Sequence, residues 1–159
     1  MKIKDNFLDK KYFIKLHNLI TSPDFPWFFQ NEVNDGQEDS DLYFYCTHSL
    51  FQNNKVNSDW FDEFKPLLEE MGYEKLIRVK LNLYPRTENF RVNPPHIDYE
   101  EEHKGFLFYF NTCDSKTILK DNHINCVANR GVYFNPSKLH SSSSCTNTKA
   151  RFSLNVNYF

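Results

Sequence analysis

Two distant segments of the chain alternate apolar and polar residues with strict period two. In Leu76–Tyr84, Ile77, Val79, Leu81 and Leu83 alternate with Arg78, Lys80, Asn82 and Tyr84. In Arg151–Tyr158, Phe152, Leu154, Val156 and Tyr158 alternate with Arg151, Ser153, Asn155 and Asn157. Only a strand puts alternate residues on opposite faces, so each segment is a strand with one apolar and one polar side. Between them lie the short runs GFLFYFNT (105–112), HINCV (123–127) and GVYFN (131–135), separated by turn residues. This spacing predicts a mainly β chain, a sandwich or barrel of the jelly-roll kind, with helices packed outside. The 16 Phe and 9 Tyr suit a large aromatic β core.

The residues before this region read differently. Leu8–Ile20 has apolar residues at helical spacing and ends at Ser22-Pro23. Phe25–Phe29 reads as an extended aromatic segment, with Trp27, Phe28 and Phe29 expected to pack between helix and sheet or, alternatively, to line a substrate groove. Residues 31–41 are polar, read as a loop and are long enough to act as a lid. Leu42–Tyr45 reads as a strand. Ser58–Met71 reads as a helix stopped by Gly72, and Pro66 predicts a kink or two short helices. One domain over 1–159 is expected, with 1–75 as mixed support and 76–159 as the core.

The segment Asn93-Pro94-Pro95-His96-Ile97-Asp98 carries the most chemistry. Two prolines force an extended backbone, so His96 and Asp98 face one side and Ile97 is expected to turn into the core. An imidazole beside a carboxylate is two-thirds of a metal site. His140 is the best third ligand, since it follows the strand at 131–135. Two histidines and one carboxylate form the facial triad of non-heme Fe(II) oxygenases, which leaves open positions on the metal. Arg151, on the polar face of the last strand, needs an anion there, and its planar guanidinium suits a carboxylate. Ser153 shares that face, and Asn82 and Tyr84 share the polar face of the other strand. Arg78 and Arg91 are alternative anion binders or surface ion pairs. His103, after Glu100–Glu102, reads as part of a solvated turn.

These residues resemble a known pattern. H-I-D, the distal His140 and R-F-S resemble the H-x-D…H…R-x-S pattern of the Fe(II)- and 2-oxoglutarate-dependent oxygenases, and NLYP resembles their N-x-Y-P strand. The resemblance covers about 76–159. As a whole the chain resembles the small oxygenases encoded by bacteriophages, which go broadly with prolyl-hydroxylase-like enzymes. It implies a double-stranded β-helix (jelly roll, cupin-like) with N-terminal helices, and Fe(II), 2-oxoglutarate and O2 as cofactor and co-substrates. His96, Asp98 and His140 would bind the metal. Arg151, helped by Ser153 and Tyr84, would pair with the distal carboxylate of 2-oxoglutarate, with Asn82 nearby. Thr117, in SKTIL, resembles the threonine of the strand after the first two ligands. The implied reaction oxidises 2-oxoglutarate to succinate and CO2 while hydroxylating a second substrate, a peptidyl residue such as proline first and a small molecule second.

Composition narrows the alternatives. The net charge of -2 gives no electrostatic footprint for nucleic acid. The opening residues MKIKDNFLDKKYF lack the apolar run of a signal peptide, and no stretch has the length of a membrane span. The expectation is a cytoplasmic protein, in the host cell if phage-encoded, with Cys46, Cys113, Cys126 and Cys145 reduced and no C-x-x-C pair. The competing class is a jelly-roll binding or virion-associated module with a vestigial metal site. A third option uses a different metal and no keto acid, with Arg151 binding a substrate carboxylate.

Overall fold

The computed structural model describes residues 1–31, 44–120 and 122–159. The expected lid at 31–41 lies, apart from Asn31, outside the described residues, as do Leu42 and Tyr43 of the expected strand. The strands are β1 (Lys2–Lys4), β2 (Phe28–Gln30), β3 (Tyr45–Gln52), β4 (Lys55–Val56), β5 (Leu76–Pro85) and β6 (Lys104–Tyr109). They continue with β7 (Lys116–Leu119), β8 (Asn122–Asn125), β9 (Arg130–Phe134), β10 (His140–Ser142) and β11 (Ala150–Tyr158). The helices are α1 (Lys10–Ile20) and α2 (Phe61–Met71). Neither is long and apolar enough to cross a membrane.

The strands form two antiparallel sheets. The larger runs β1-β9-β6-β11-β5-β3-β2, with β4 on β3, and the smaller runs β10-β7-β8. The two alternating segments are neighbours: Arg151 pairs with Tyr84, Ser153 with Asn82, Asn155 with Lys80 and Asn157 with Arg78. Their polar faces therefore merge into one surface, and their apolar faces into the other.

The apolar surface is covered by the helices. Leu16 and Ile20 of α1 and Phe61, Phe64, Leu67, Leu68 and Met71 of α2 pack with Val79, Leu81, Phe106, Phe108, Leu154 and Val156. Trp27 joins this core, its indole nitrogen donating to the Ile20 carbonyl at 3.1 Å, whereas Phe28 and Phe29, expected to pack with it, stay exposed on β2 at the end of the sheet. Asp9 caps α1 by accepting from the amides of Lys11 and Tyr12. Gly72 ends α2 at φ 76°, where a side chain would be strained. A smaller core of Leu107, Tyr109, Val132 and Ile124 joins the two sheets, and Cys113, Cys126 and Cys145 converge in it.

Two expectations about these elements are corrected. Residues 61–71 form one helix with Pro66 inside it, not two short helices. Pro66 is exposed, so the carbonyl it leaves unpaired is on the solvent side, where water can serve it. The alternation of β5 breaks at Ile77. The register slips between Asn157 and Tyr158, so that Tyr158 pairs with Leu76 and Asn157 with Arg78. The bulge puts Leu76 into the core and leaves Ile77 half-buried.

Candidate metal centre and anion pocket

Residues 93–98 run beside 136–142. The Asn93 amide donates to the Ser142 carbonyl at 2.8 Å, His96 and His140 exchange amide-to-carbonyl bonds at 2.9 Å, and the Asp98 amide donates to Pro136 at 3.0 Å. Pro94 and Pro95 keep the stretch between Asn93 and His96 extended. Asn93 adds a side-chain bond to Ser142 at 2.7 Å. His96 and His140 thus become direct cross-strand neighbours, with ring centroids 4.4 Å apart. Oδ1 of Asp98 lies 3.8 Å from Nε2 of His96. The three side chains offer ligand atoms that all lie within 4.8 Å of one another. Ile97 does not enter the core. It is 38% exposed.

The protonation states suit a metal. Nδ1 of His140 donates to the Lys138 carbonyl at 2.9 Å, which leaves Nε2 as the atom that would ligate a metal. Burial and the neighbouring His140 push His96 down to about 4, so its imidazole is neutral at physiological pH. Burial alone would raise the Asp98 carboxyl, but Arg78 and the Asn157 amide pull harder and hold it at about 2. Two neutral imidazoles and one ionised carboxylate are the forms in which these groups bind a cation.

Asp98 sits in a network absent from the sequence reading. Nη2 of Arg78 donates to Asp98 Oδ1 at 2.9 Å and to Asn157 Oδ1 at 3.2 Å. Nδ2 of Asn157 donates to Asp98 Oδ2 at 2.8 Å and to His103 Nε2 at 2.8 Å. Nδ1 of His103 then donates to the Glu101 carbonyl at 2.7 Å. His103 is therefore buried, not in a solvated turn, and the Arg78 pair is buried too, with side chains 15% and 4% exposed. The alternation marks Arg78 and Asn157 as polar-face residues, and the register then pairs them.

The cavity beside the ligand cluster is lined by Asn82, Tyr84, Thr117, Ser142, Arg151 and Ser153, with His96 and His140 at one end. Arg151 is 1% exposed. One Nη donates to Thr117 Oγ1 at 2.8 Å and the other to the Ser143 carbonyl at 3.2 Å, while its Nε is unpartnered. The guanidinium lies between the rings of Tyr84 and Tyr109, 5.4 Å from each centroid. Thr117 also accepts from the Tyr109 hydroxyl at 2.8 Å. Among the described residues no carboxylate pairs with Arg151. A buried guanidinium without a counter-charge is costly, and a bound anion relieves the cost. Asn82 Oδ1 is likewise buried without a partner. Asn82, Tyr84, His96, Thr117, His140, Arg151 and Ser153 thus line one cavity, while Asp98 and Arg78 stand outside its lining, in their own ion pair.

No protein-family model matches the sequence, and no curated protein matches it significantly. Solved structures do. A 2OG-Fe(II) oxygenase family protein from Burkholderia pseudomallei matches at TM-score 0.70, 11% identity, over 97% of this chain and 81% of that one. A prolyl-4-hydroxylase from Pseudomonas putida matches at 0.67, 12% identity, over 99% and 91%. A viral collagen prolyl hydroxylase from Paramecium bursaria Chlorella virus-1, solved with 2-oxoglutarate, matches at 0.60, 11% identity, over 98% and 93%. The chain thus has the fold of the 2OG-Fe(II) oxygenases and resembles their prolyl-hydroxylase-like members, a viral one among them.

Proposed function

We propose that the chain is a single Fe(II)- and 2-oxoglutarate-dependent dioxygenase domain on a double-stranded β-helix, hydroxylating a peptidyl residue such as proline. The observation that carries this reading is Arg151, a buried cation lacking a carboxylate partner among the described residues, in a cavity also lined by His96 and His140, the two imidazoles that cluster with Asp98. His96, Asp98 and His140 would hold Fe(II) and leave part of its coordination sphere open. Arg151 would take the distal carboxylate of 2-oxoglutarate, with Thr117 fixing the guanidinium and Ser153, Tyr84 and Asn82 shaping the pocket. The bound metal supplies the O2 chemistry that decarboxylates the keto acid to succinate and CO2. The residues around it orient both reactants and exclude water. The peptide assignment rests on the prolyl-hydroxylase likeness.

Anaerobic titration of Fe(II) and 2-oxoglutarate, followed by visible absorbance, tests the reading. A charge-transfer band requiring both components supports it. Asp98→Ala should abolish the band and succinate formation. Arg151→Met should raise the 2-oxoglutarate needed for half-saturation by about tenfold or more, the loss of a charge-assisted pair. Iron binding without a band would refute the keto-acid assignment, and full turnover by Asp98→Ala would refute the triad.

A further inference from the structure

The network behind Asp98 ends on His103, which belongs neither to the ligand cluster nor to the lining of the anion pocket. It is 5% exposed and immediately precedes β6. The Tyr99 ring lies against both it and Arg78, with centroid distances of 5.4 Å and 5.3 Å. Its link to the metal ligand is the side-chain amide of Asn157, which is fully buried.

The orientation of that amide follows from its partners. Arg78 can only donate, so the atom it meets at 3.2 Å is Oδ1. The ionised Asp98 can only accept, so the atom it meets at 2.8 Å is Nδ2. The second hydrogen of Nδ2 goes to Nε2 of His103 at 2.8 Å, which therefore accepts. His103 can accept there because Nδ1 donates to the Glu101 carbonyl at 2.7 Å. The Ser137 hydroxyl donates to the same carbonyl at 2.7 Å and lies 3.0 Å from Nδ1, which ties the ring to the segment that carries His140. A reversed amide would set acceptor against acceptor at Asp98 and at His103, and donor against donor at Arg78. The amide in turn sorts the two oxygens of Asp98. Oδ2 takes Asn157 at 2.8 Å and Asn155 at 3.4 Å, while Oδ1 lies on the side of the cluster, 3.8 Å from Nε2 of His96.

We propose that His103 is a positioning residue of the metal centre. It holds the Asn157 amide in the one orientation that occupies Oδ2 of Asp98 and turns Oδ1 to the metal. This rests on the metal-binding reading above, and His103 acts only through Asn157.

Mn(II) titrated into the full chain without keto acid, with the free ion read by electron paramagnetic resonance, tests the assignment. His103→Leu removes the acceptor, and Mn(II) affinity should fall by about tenfold or more, the usual cost of losing a partner that orients a metal ligand. His103→Phe serves if that variant fails to fold. His103→Gln sets a side-chain oxygen near the place of Nε2 and should restore affinity to within about threefold of native. In an Asn157→Ala background, His103→Leu should weaken Mn(II) no further, because the group it acts through is gone. A residue that only packs would shift the urea midpoint and leave the Mn(II) affinity of the folded chain unchanged. The proposal is overturned if the folded Leu or Phe variant binds Mn(II) as the native chain does, if Gln is as weak as Leu, or if the loss persists in full beside Asn157→Ala. A native chain that binds no Mn(II) would refute the metal reading itself, and this proposal with it.

Discussion

Replacing Arg78 by Met removes the charge that holds Asp98 while keeping a stem to fill the space. The native pair is 2.9 Å apart with side chains 15% and 4% exposed, so solvent screens it little. Removing one partner from a buried pair costs about 3–5 kcal/mol, since the other charge is left uncompensated. Asp98 keeps the Asn157 amide at 2.8 Å, which sets the expected loss near the low end, about 3 kcal/mol. The depression of Asp98 from 3.8 to about 2 gives a similar scale, about 2 kcal/mol. The sign with pH follows. In the native protein the folded value is below the unfolded one, so Asp98 adds stability above about pH 4 and loses it between pH 4 and 2. In the variant the Arg78 charge no longer opposes burial, and the folded value rises from its native position. The destabilisation is then full at neutral pH and shrinks as pH falls through the raised value. Urea unfolding with chelator present, followed by the fluorescence of Trp27 and Trp60, measures this. A divalent ion on His96, Asp98 and His140 restores positive charge at Asp98, so Mn(II) should stabilise Arg78→Met more than the native chain. A loss below about 1 kcal/mol at pH 7, or one that does not lessen in acid, would refute the argument that Arg78 compensates Asp98.

Three further outcomes follow from the same coordinates. His96 is depressed from 6.5 to about 4, so its contribution to metal-free stability is full above pH 6.5 and is lost as pH falls toward 4. That is worth about 3 kcal/mol, and His96→Gln should flatten the dependence of the urea midpoint in this window; an unchanged slope would refute it. An added Cβ at Gly131 would lie 2.8 Å from Phe7 and 2.8 Å from Phe106, so Gly131→Ala should cost about 1–3 kcal/mol in thermal unfolding, and a neutral result would mean those rings move freely. Pro66→Ala restores a helix amide on the exposed side of α2 and should raise the melting temperature; a fall would show that the proline ring itself packs usefully.

The alternation of β11 was legible because its period is local, and the facing of Arg151, Ser153, Asn155 and Asn157 follows from it directly. His96 and Asp98 were legible for the same reason, as residues two apart on a proline-stiffened segment. What joins these pieces is register between strands far apart in sequence. Nothing local to Lys80 states that Asn155 will lie opposite, or that the bulge at Ile77 will turn Leu76 inward and keep Arg78 beside Asn157. Thr117 entered only through a resemblance, and its bond to Arg151 depends on β7 packing beneath β11. His103 misled because three acidic neighbours marked its surroundings as solvated. Those side chains do remain exposed, while the imidazole alone turns inward to Asn157.

Bulk charge misleads in the same way. The chain carries a net charge of -2, yet the polar face that β5 and β11 turn toward the site sets three basic side chains against one acidic one. Long-range attraction of a polyanion depends on the whole surface, and here that surface does not favour it. Binding of a small acid depends instead on the few charges that are desolvated with it, where each is screened far less. Ion pairing has already assigned Arg78 to Asp98, so its charge is not available to a ligand. Arg151 remains, buried in the cavity with no carboxylate partner among the described residues. A cavity built this way favours a small carboxylate over an extended polyanion, because one desolvated guanidinium compensates one such group and the rest of a polyanion would find no partner there.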